Sequence, residues 1–283
     1  MNRTEIEAAF TSAGLAQRIP EINLLTSNAV RLLTKPVNEA TLQIGVSKIG
    51  GHPDLPVGIA WPTLKGQPQS FLAQIRLTEV QGLATRGLLP QLGMLWFFYD
   101  ARQETFGENP QDRGGWSILF KAEQPATLKR QATPAKLPAA SLFQSCILTL
   151  KRELTLALQP ELELPDCNWS DKEQQAYEQV LEILRKPAEL ALPHHRMLGY
   201  PDTIQDDMRM QCQLTSNGIT DSDDPRVAAL QAGASDWLLL LQIDSDAGAH
   251  MRWSNNGMLY YWIKQADLQA CCFEQSWLVL QSE

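Results

Sequence analysis

The stretch from Lys48 to Asp100 limits the fold more than any other part of the chain. It reads KIGGHPDLPVGIAWP, then SFLAQI, then LPQLGMLWFFYD. The last segment places four aromatic residues, Trp96 to Tyr99, in one run after Gly93. Neighbouring side chains of a strand point to opposite faces, so Trp96 and Phe98 cover one side and Phe97 and Tyr99 the other. A strand apolar on both faces has to lie between packed layers. Ahead of it, residues 50–70 hold Gly50-Gly51, His52-Pro53-Asp54, Pro56, Gly58, Trp61-Pro62, Gly66 and Pro68, too many breakers for regular structure. A loop of about 20 residues is long for a compact domain, and such loops tend to be functional or internally packed. Trp61, beside rigid Pro62, is expected to pin it to the core.

Around this stretch the chain reads as blocks of strands with segregated helices: α+β, mainly antiparallel sheets with a few helices. Residues 4–17 are predicted as an amphipathic helix, with a capping box of Thr4 and Glu7 and a face of Ile6, Ala9, Phe10 and Ala13. Pro20 allows a second short helical turn. Strands are predicted at 29–33, at 42–47 from the alternation of Leu42, Ile44 and Val46, and at 70–75, 94–99 and 116–121. Residues 105–115 read as an exposed connection, and Pro125, Pro134 and Pro138 mark an extended one. Residues 142–158 read as strand with a break near Lys151-Arg152. Ser170 and Glu173 form a second capping box, opening a helix whose buried face is Ala176, Tyr177, Val180, Leu181 and Leu184, with Pro187 just past its end. Asp224-Pro225 is predicted to start another helix that Gly233 stops. Strands follow at 237–243, 258–263 and 273–280, with one helical turn at 266–270. The domain reading is an N-terminal helical segment, 1–27, and a single domain, 28–283.

Composition sets outer bounds. The formal net charge of −8 disfavours a nucleic-acid or anionic-membrane surface. The cysteines, Cys146, Cys167, Cys212, Cys271 and Cys272, are odd in number and lack a C-x-x-C, so a disulfide framework is not expected and a reducing compartment fits. The opening MNRTEIEAAFTSAG has no long apolar run that would mark a signal peptide. Apolar runs such as Trp237 to Leu241 fall far short of the ~20 residues that span a bilayer. The expectation is a soluble, cytoplasmic protein.

The two halves of the chain, about 28–165 and 166–283, share an ordered series of short matches. GGHPD, FLAQI and LGMLWFFYD in the first half answer to LGYPD (198–202), LLLLQI (238–243) and NGMLYYWI (256–263) in the second. Pro53-Asp54 corresponds to Pro201-Asp202, Gln74 to Gln242, and Gly93-Met94-Leu95 to Gly257-Met258-Leu259. Fixed-order self-similarity points to repeated supersecondary units, here two related αβ halves with a groove between them where a ligand would sit.

On these residues, together with Gln205, Asp206, Asp244 and Asp267-Leu268, the chain resembles the YwqG-like family, a bacterial domain-of-unknown-function family. The resemblance spans about residues 28–281. It implies an α+β fold and a cytoplasmic protein, and no established activity, catalytic residue or cofactor. Where such families show an acidic residue before the glycine of the last hairpin, this chain has Asn255-Asn256, so no metal role carries over to that spot.

The motifs of common enzyme classes are missing: no G-x-G-x-x-G, Walker A, G-x-S-x-G or H-E-x-x-H, and no cysteine-based zinc spacing. His194-His195 has Asp202, Asp206 and Asp207 close behind, but adjacent strand histidines face opposite ways, and an exposed loop is the simpler reading. Asp221 to Asp224 reads as a helix cap rather than a calcium site. Asp244-x-Asp246 lacks the bidentate glutamate of a calcium loop, because residue 255 is Asn. Cys271-Cys272 has no neighbouring lysine or arginine to lower its pKa and reads as core. Gln74 and Gln242 each lie inside an apolar strand. Burying an amide without partners costs roughly 1–3 kcal/mol, so both need hydrogen bonds. They either tie the preceding loop to the strand or face a ligand across the groove.

These features point to a non-enzymatic binding module using loops 50–70 and 194–224. Its candidate ligand-binding residues are Gly51, Asp54, Trp61, Gln74, Asp202, Gln205 and Gln242. No metal site, cofactor or catalytic residue is assigned. The partner is a protein or small molecule, not nucleic acid or membrane, and the oligomeric state is not legible in the sequence. Two other readings stand beside it. One is a hydrolase-type enzyme pairing Asp54, Asp202 or Asp206 with His52 or His195 in the groove. The other is an immunity-like or regulatory interaction protein, which would show a large exposed apolar patch.

Overall fold

Two eleven-residue strands, β1 (Thr26–Pro36) and β10 (Cys146–Leu156), pair antiparallel along their whole length, from Thr26 opposite Leu156 to Pro36 opposite Cys146. This is a computed structural model, and it describes residues 2–83, 87–122, 127–184 and 192–283. Beyond β1 the sheet continues through β11 (Arg196–Met197), β12 (Trp237–Asp244), β13 (Met258–Lys264) and β14 (Trp277–Gln281). Beyond β10 it continues through β2 (Lys48–Ile49), β6 (Ser70–Arg76), β7 (Met94–Tyr99) and β8 (Trp116–Lys121). All ten strands run antiparallel to their neighbours. Each long central strand has one short two-residue neighbour, β11 beside β1 and β2 beside β10. Two small pairs stand apart: β3 (Asp54–Pro56) with β9 (Leu128–Arg130), and β4 (Thr63–Leu64) with β5 (Gln67–Pro68).

The sheet curls until its ends nearly meet. Trp116 of β8 and Trp277 of β14 pack edge to face at 5.0 Å, and the Trp116 Nε1–H donates to the Ser276 carbonyl at 3.2 Å. Across the interior, the Phe97 and Tyr261 rings lie 5.3 Å apart. The aromatic run divides as its periodicity predicts. Leu95, Phe97 and Tyr99 enter the main core, whereas Met94, Trp96 and Phe98 join a second cluster with Leu55 and Phe71. A third cluster joins the N-terminal helices, Arg3–Ser12 and Ile19–Leu24, to the helix Asp171–Leu184, with Phe10 stacked on Tyr177 at 5.0 Å. Ser170 and Glu173 make the capping box expected of that last helix.

Several local expectations are corrected. The first helix is capped by Asn2 and Glu5, not Thr4 and Glu7, and ends at Ser12. Residues 42–47 are not a strand: Gly45 takes φ +78° and Ile44 is exposed, so the apolar alternation belongs to a turn. Residues 50–70 contain the short strands β3, β4 and β5. β10 has no break, since Lys151 and Arg152 stay in register opposite Arg31 and Val30. The helix after Pro225 is Val227–Leu230, and Gly233 lies within the 3-10 helix that follows instead of stopping it. Phe273–Gln275 is likewise 3-10, and β14 starts at Trp277. An unanticipated helix, Arg209–Ser216, buries Cys212, Gln213 and Thr215. Pro125 and Pro187 lie outside the described residues. Cysteines 146, 167, 212, 271 and 272 are free; Cys271 packs against the main core, but Cys272 is only partly buried. Among the described residues no helix is long and apolar enough to cross a membrane.

Candidate functional site

Gln74 and Gln242 are both fully buried, and each is satisfied by the loop ahead of it. Gln74 Oε1 accepts the Asp54 backbone N–H at 2.8 Å, while Nε2 donates to Asp54 Oδ2 at 2.8 Å and to the Val46 carbonyl at 2.8 Å. Gln242 Oε1 accepts the Asp202 N–H at 2.9 Å, while Nε2 donates to Asp202 Oδ2 at 3.1 Å and to the His194 carbonyl at 2.6 Å. A side chain of the next strand completes each clamp: Trp96 Nε1 donates to the Asp54 carbonyl at 2.9 Å, and Tyr260 OH to the Asp202 carbonyl at 2.6 Å. The backbone around them also agrees. Gly50 and Gly51 take φ +67° and +68°, and Leu198 and Gly199 take +60° and +71°. The register shifts between Phe71 and Ala73 in β6, and between Leu239 and Leu241 in β12.

Charge surrounds both clamps. The fully buried Asp54 carboxylate accepts from Arg130 Nε at 2.9 Å and from the Gly45 N–H at 2.9 Å. Lys48, also fully buried, donates to Glu39 Oε1 at 2.6 Å and to the His52 carbonyl at 2.5 Å. Glu39 Oε1 further accepts the His52 N–H at 2.7 Å, and Oε2 lies 2.6 Å from His52 Nδ1. Burial pushes the Lys48 ammonium below its ordinary pKa. Burial also works against ionised Glu39, but the hydrogen bonds from Lys48 and His52 outweigh it and hold the carboxyl below its usual range. A β-carbon at Gly51 would lie 2.2 Å from Glu39 Oε1, so only glycine lets this carboxylate in.

At the second clamp, Arg196 donates to Glu153 at 2.7 Å and contacts Asp202 Oδ2 at 2.7 Å. His194 Nδ1 lies 3.0 Å from the same oxygen. Against the cost of burial, the charge of Arg196 and the hydrogen bond with His194 keep Asp202 well below the ordinary carboxylate range. His195 is fully buried, contrary to the exposed-loop expectation. Its Nδ1 accepts the Asp244 N–H at 3.1 Å, which leaves Nε2 to donate to Asp246 Oδ2 at 3.1 Å.

Beside the second clamp opens a cleft of about 330 Å³. Its walls include Leu158, Leu162, Leu198, Trp237, Leu239 and Trp262, and its polar lining includes Glu163, Gln205, Asp206, Asp207 and Arg209. Arg209 bridges Glu163 at 2.7 Å and Asp207 at 2.9 Å. Trp262 is 2 % exposed, and its Nε1 has no hydrogen-bond partner.

Of the residues singled out in the sequence, Gly51, Asp54 and Gln74 meet at the first clamp, and Asp202 and Gln242 at the second. Gln205 lines the cleft and donates to the Ser282 carbonyl at 3.0 Å. Trp61 is half-buried; its Nε1 donates to the Gln69 carbonyl at 2.8 Å and its ring meets Phe98 at 5.6 Å. The histidines 52, 194, 195 and 250 do not line the cleft, whereas Asp206 does. No group of three or more His, Cys, Asp or Glu placed to hold a metal occurs among the described residues. Glu39, Lys48, Arg130, Arg196 and Trp262 escaped the sequence reading. One signal was available: Lys48 stands six residues before Asp54, as Arg196 does before Asp202.

A mixed fold built on one large antiparallel sheet, with two clamped loops and a cleft at one of them, is the class this geometry defines. The chain matches the model of a family described as a domain of unknown function (DUF1963) over residues 47–282, and it belongs to that family. No curated protein matches it.

Proposed function

We propose that this protein is a non-enzymatic binding module that takes a small molecule in the cleft beside the second clamp. The observation that carries the reading is the cleft itself: about 330 Å³, walled by leucine and tryptophan, with a few converging polar groups. Ligand sites have this size and this balance of apolar wall and polar contact. The loop that borders it is held by the Gln242 clamp and by Arg196 on Asp202, so the site is formed before a ligand arrives. The hydrolase alternative draws support from the partly exposed His52–Glu39 and His194–Asp202 pairs, but none of these four residues lines the cleft.

Residues 28–283 are read as one domain whose halves, about 28–165 and 166–283, are copies of a single αβ unit. The matching hydrogen bonds, positive-φ pairs and strand bulges support that descent. The free cysteines favour a cytoplasmic location for this YwqG-like chain.

The test presents immobilised protein to a metabolite pool and identifies retained compounds by mass spectrometry. Ser235 is exposed and lines the cleft, so Ser235→Trp fills it without entering the core. Compounds held by the wild type and lost from this variant are the expected result. Equal retention by both, or none by either, overturns the reading.

A further inference from the structure

Phe98 and Trp262 hold the same position relative to their clamps. Each lies two residues past the aromatic side chain that hydrogen-bonds the clamped loop, Trp96 in one case and Tyr260 in the other. Each is paired with the residue where the preceding strand bulges, Phe98 with Phe71 and Trp262 with Leu239.

What covers the two positions differs. In the first half the chain covers itself: the Trp61 ring stands edge-on to Phe98 at 5.6 Å, tied down by its Nε1–H to the Gln69 carbonyl. In the second half, residues 203–236 lead from the clamped loop to β12 and contain no Phe, Tyr or Trp. Leu239 and Trp262 are left lining the open cleft.

We propose that the cleft takes a planar aromatic ligand carrying a hydrogen-bond acceptor, seated where the first half seats its own Trp61. Two observations fix the chemistry beyond shape. Phe98 has no polar atom to satisfy, but Trp262 has a buried Nε1–H with no partner, and a buried unpartnered donor is costly. A ring nitrogen or carbonyl oxygen on the ligand answers it. Among the described residues the cleft also carries three carboxylates, Glu163, Asp206 and Asp207, against the single cation Arg209, which already bridges two of them. That excess of negative charge favours a neutral or cationic ring and repels an anionic one. The inference rests on the cleft being the binding site proposed above; a ligand of another class there leaves that proposal standing.

The test follows the tryptophan indole N–H resonances by NMR in the intact chain, with Trp262 assigned through Trp262→Phe. Three probes of similar shape are titrated: quinoline, which has an acceptor; naphthalene, which has none; and quinoline-6-carboxylate, which adds a negative charge. Quinoline is expected to shift the Trp262 resonance, and the other two to bind about tenfold more weakly or worse. Trp262→Phe keeps an aromatic wall and should bring quinoline down to the level of naphthalene. Ser235→Trp should abolish the response. An unmoved Trp262 resonance, or a carboxylate that binds as well as quinoline, overturns the proposal. If that happens while non-aromatic metabolites are still lost on Ser235→Trp, only the ligand chemistry falls; if no metabolite is lost either, the binding-module reading falls with it.

Discussion

Gln74 grips Asp54 at two points, its Oε1 on the backbone N–H and its Nε2 on carboxylate Oδ2, both at 2.8 Å. The amide thus holds a breaker-rich loop against a strand whose neighbouring side chains, Leu72, Ala73 and Ile75, are apolar and buried. Gln74→Met keeps the length and apolar volume but strands the Asp54 N–H and the Val46 carbonyl. The expected loss is roughly 2–4 kcal/mol, read from urea-denaturation midpoints. Gln242→Met should cost a similar amount. The two clamps share no hydrogen-bond partner, so the double variant should show the sum to within about 0.5 kcal/mol. A loss below about 1 kcal/mol for either variant would reject the clamp as a stabilising device.

Gly51 and Gly58 separate steric need from backbone need. Both take positive φ, +68° and +89°, but a β-carbon at Gly51 meets Glu39 Oε1 at 2.2 Å while one at Gly58 meets nothing within 4 Å. Gly58→Ala should cost the left-handed backbone penalty alone, about 1 kcal/mol. Gly51→Ala also displaces Glu39, and with it the carboxylate partner of fully buried Lys48. Removing one partner of a buried ion pair costs about 3–5 kcal/mol. Equal losses for the two variants, measured by thermal and urea unfolding, would show that Glu39 is free to move.

What the sequence made legible, and what it hid, follows from the range of the interactions. Gln74 and Gln242 stood out because a polar residue inside an apolar strand must be satisfied, and the structure satisfies both. The Leu42, Ile44 and Val46 alternation misled because a period of two does not distinguish a strand from a turn. Gly45 bends the chain there, and its N–H goes to Asp54 instead of a strand neighbour. Lys151-Arg152 looked like a break, yet long charged side chains sit comfortably on a strand whose outer face is wet. The helix Arg209–Ser216 was missed because its buried residues are Cys212, Gln213 and Thr215, not an apolar stripe, and no side chain caps its start. Glu39 and Arg130 could not be read at all: they reach His52 and Asp54 from distant positions, and no local pattern records such a pairing. The cleft was invisible for a related reason, since among the described residues its lining comes from six separate stretches of chain.

Asp246 gives the fold a dependence on acid. Its carboxylate is 3 % exposed and accepts from Thr34 Oγ1 at 2.8 Å, from His195 Nε2, and from the Gly248 N–H at 2.7 Å. Burial raises its pKa, but the hydrogen bonds from His195 and Thr34 outweigh burial and hold it at about 2. A depressed folded-state pKa stabilises above the unfolded value, near 3.9, and that stabilisation is lost as pH falls through about 2. Asp246→Asn removes the titration. The stability gap between wild type and variant should therefore be flat above about pH 5 and shrink by on the order of 2 kcal/mol between about pH 4 and 2. A gap that stays constant over that window would show that Asp246 is not held ionised by these partners.

Trp61 packs on Phe98 from within the chain, and removing it tests its equivalence to the ligand proposed at Trp262 directly. Trp61→Ala takes away a half-buried indole that contacts Phe98 and donates to the Gln69 carbonyl. Fully buried aromatics cost about 3–5 kcal/mol on truncation, so a half-buried one should cost about 2 kcal/mol. The hollow left behind has the shape of an indole and is bordered by Phe98 and the Gln69 carbonyl. Added indole should refill it, and binding to the folded state alone stabilises by about 1.4 kcal/mol at ten times its Kd. Indole should accordingly raise the unfolding midpoint of Trp61→Ala by more than it raises that of the wild type. Without that difference, Trp61 is not a separable occupant of its hollow, and the open cleft at Trp262 loses its counterpart in the first half.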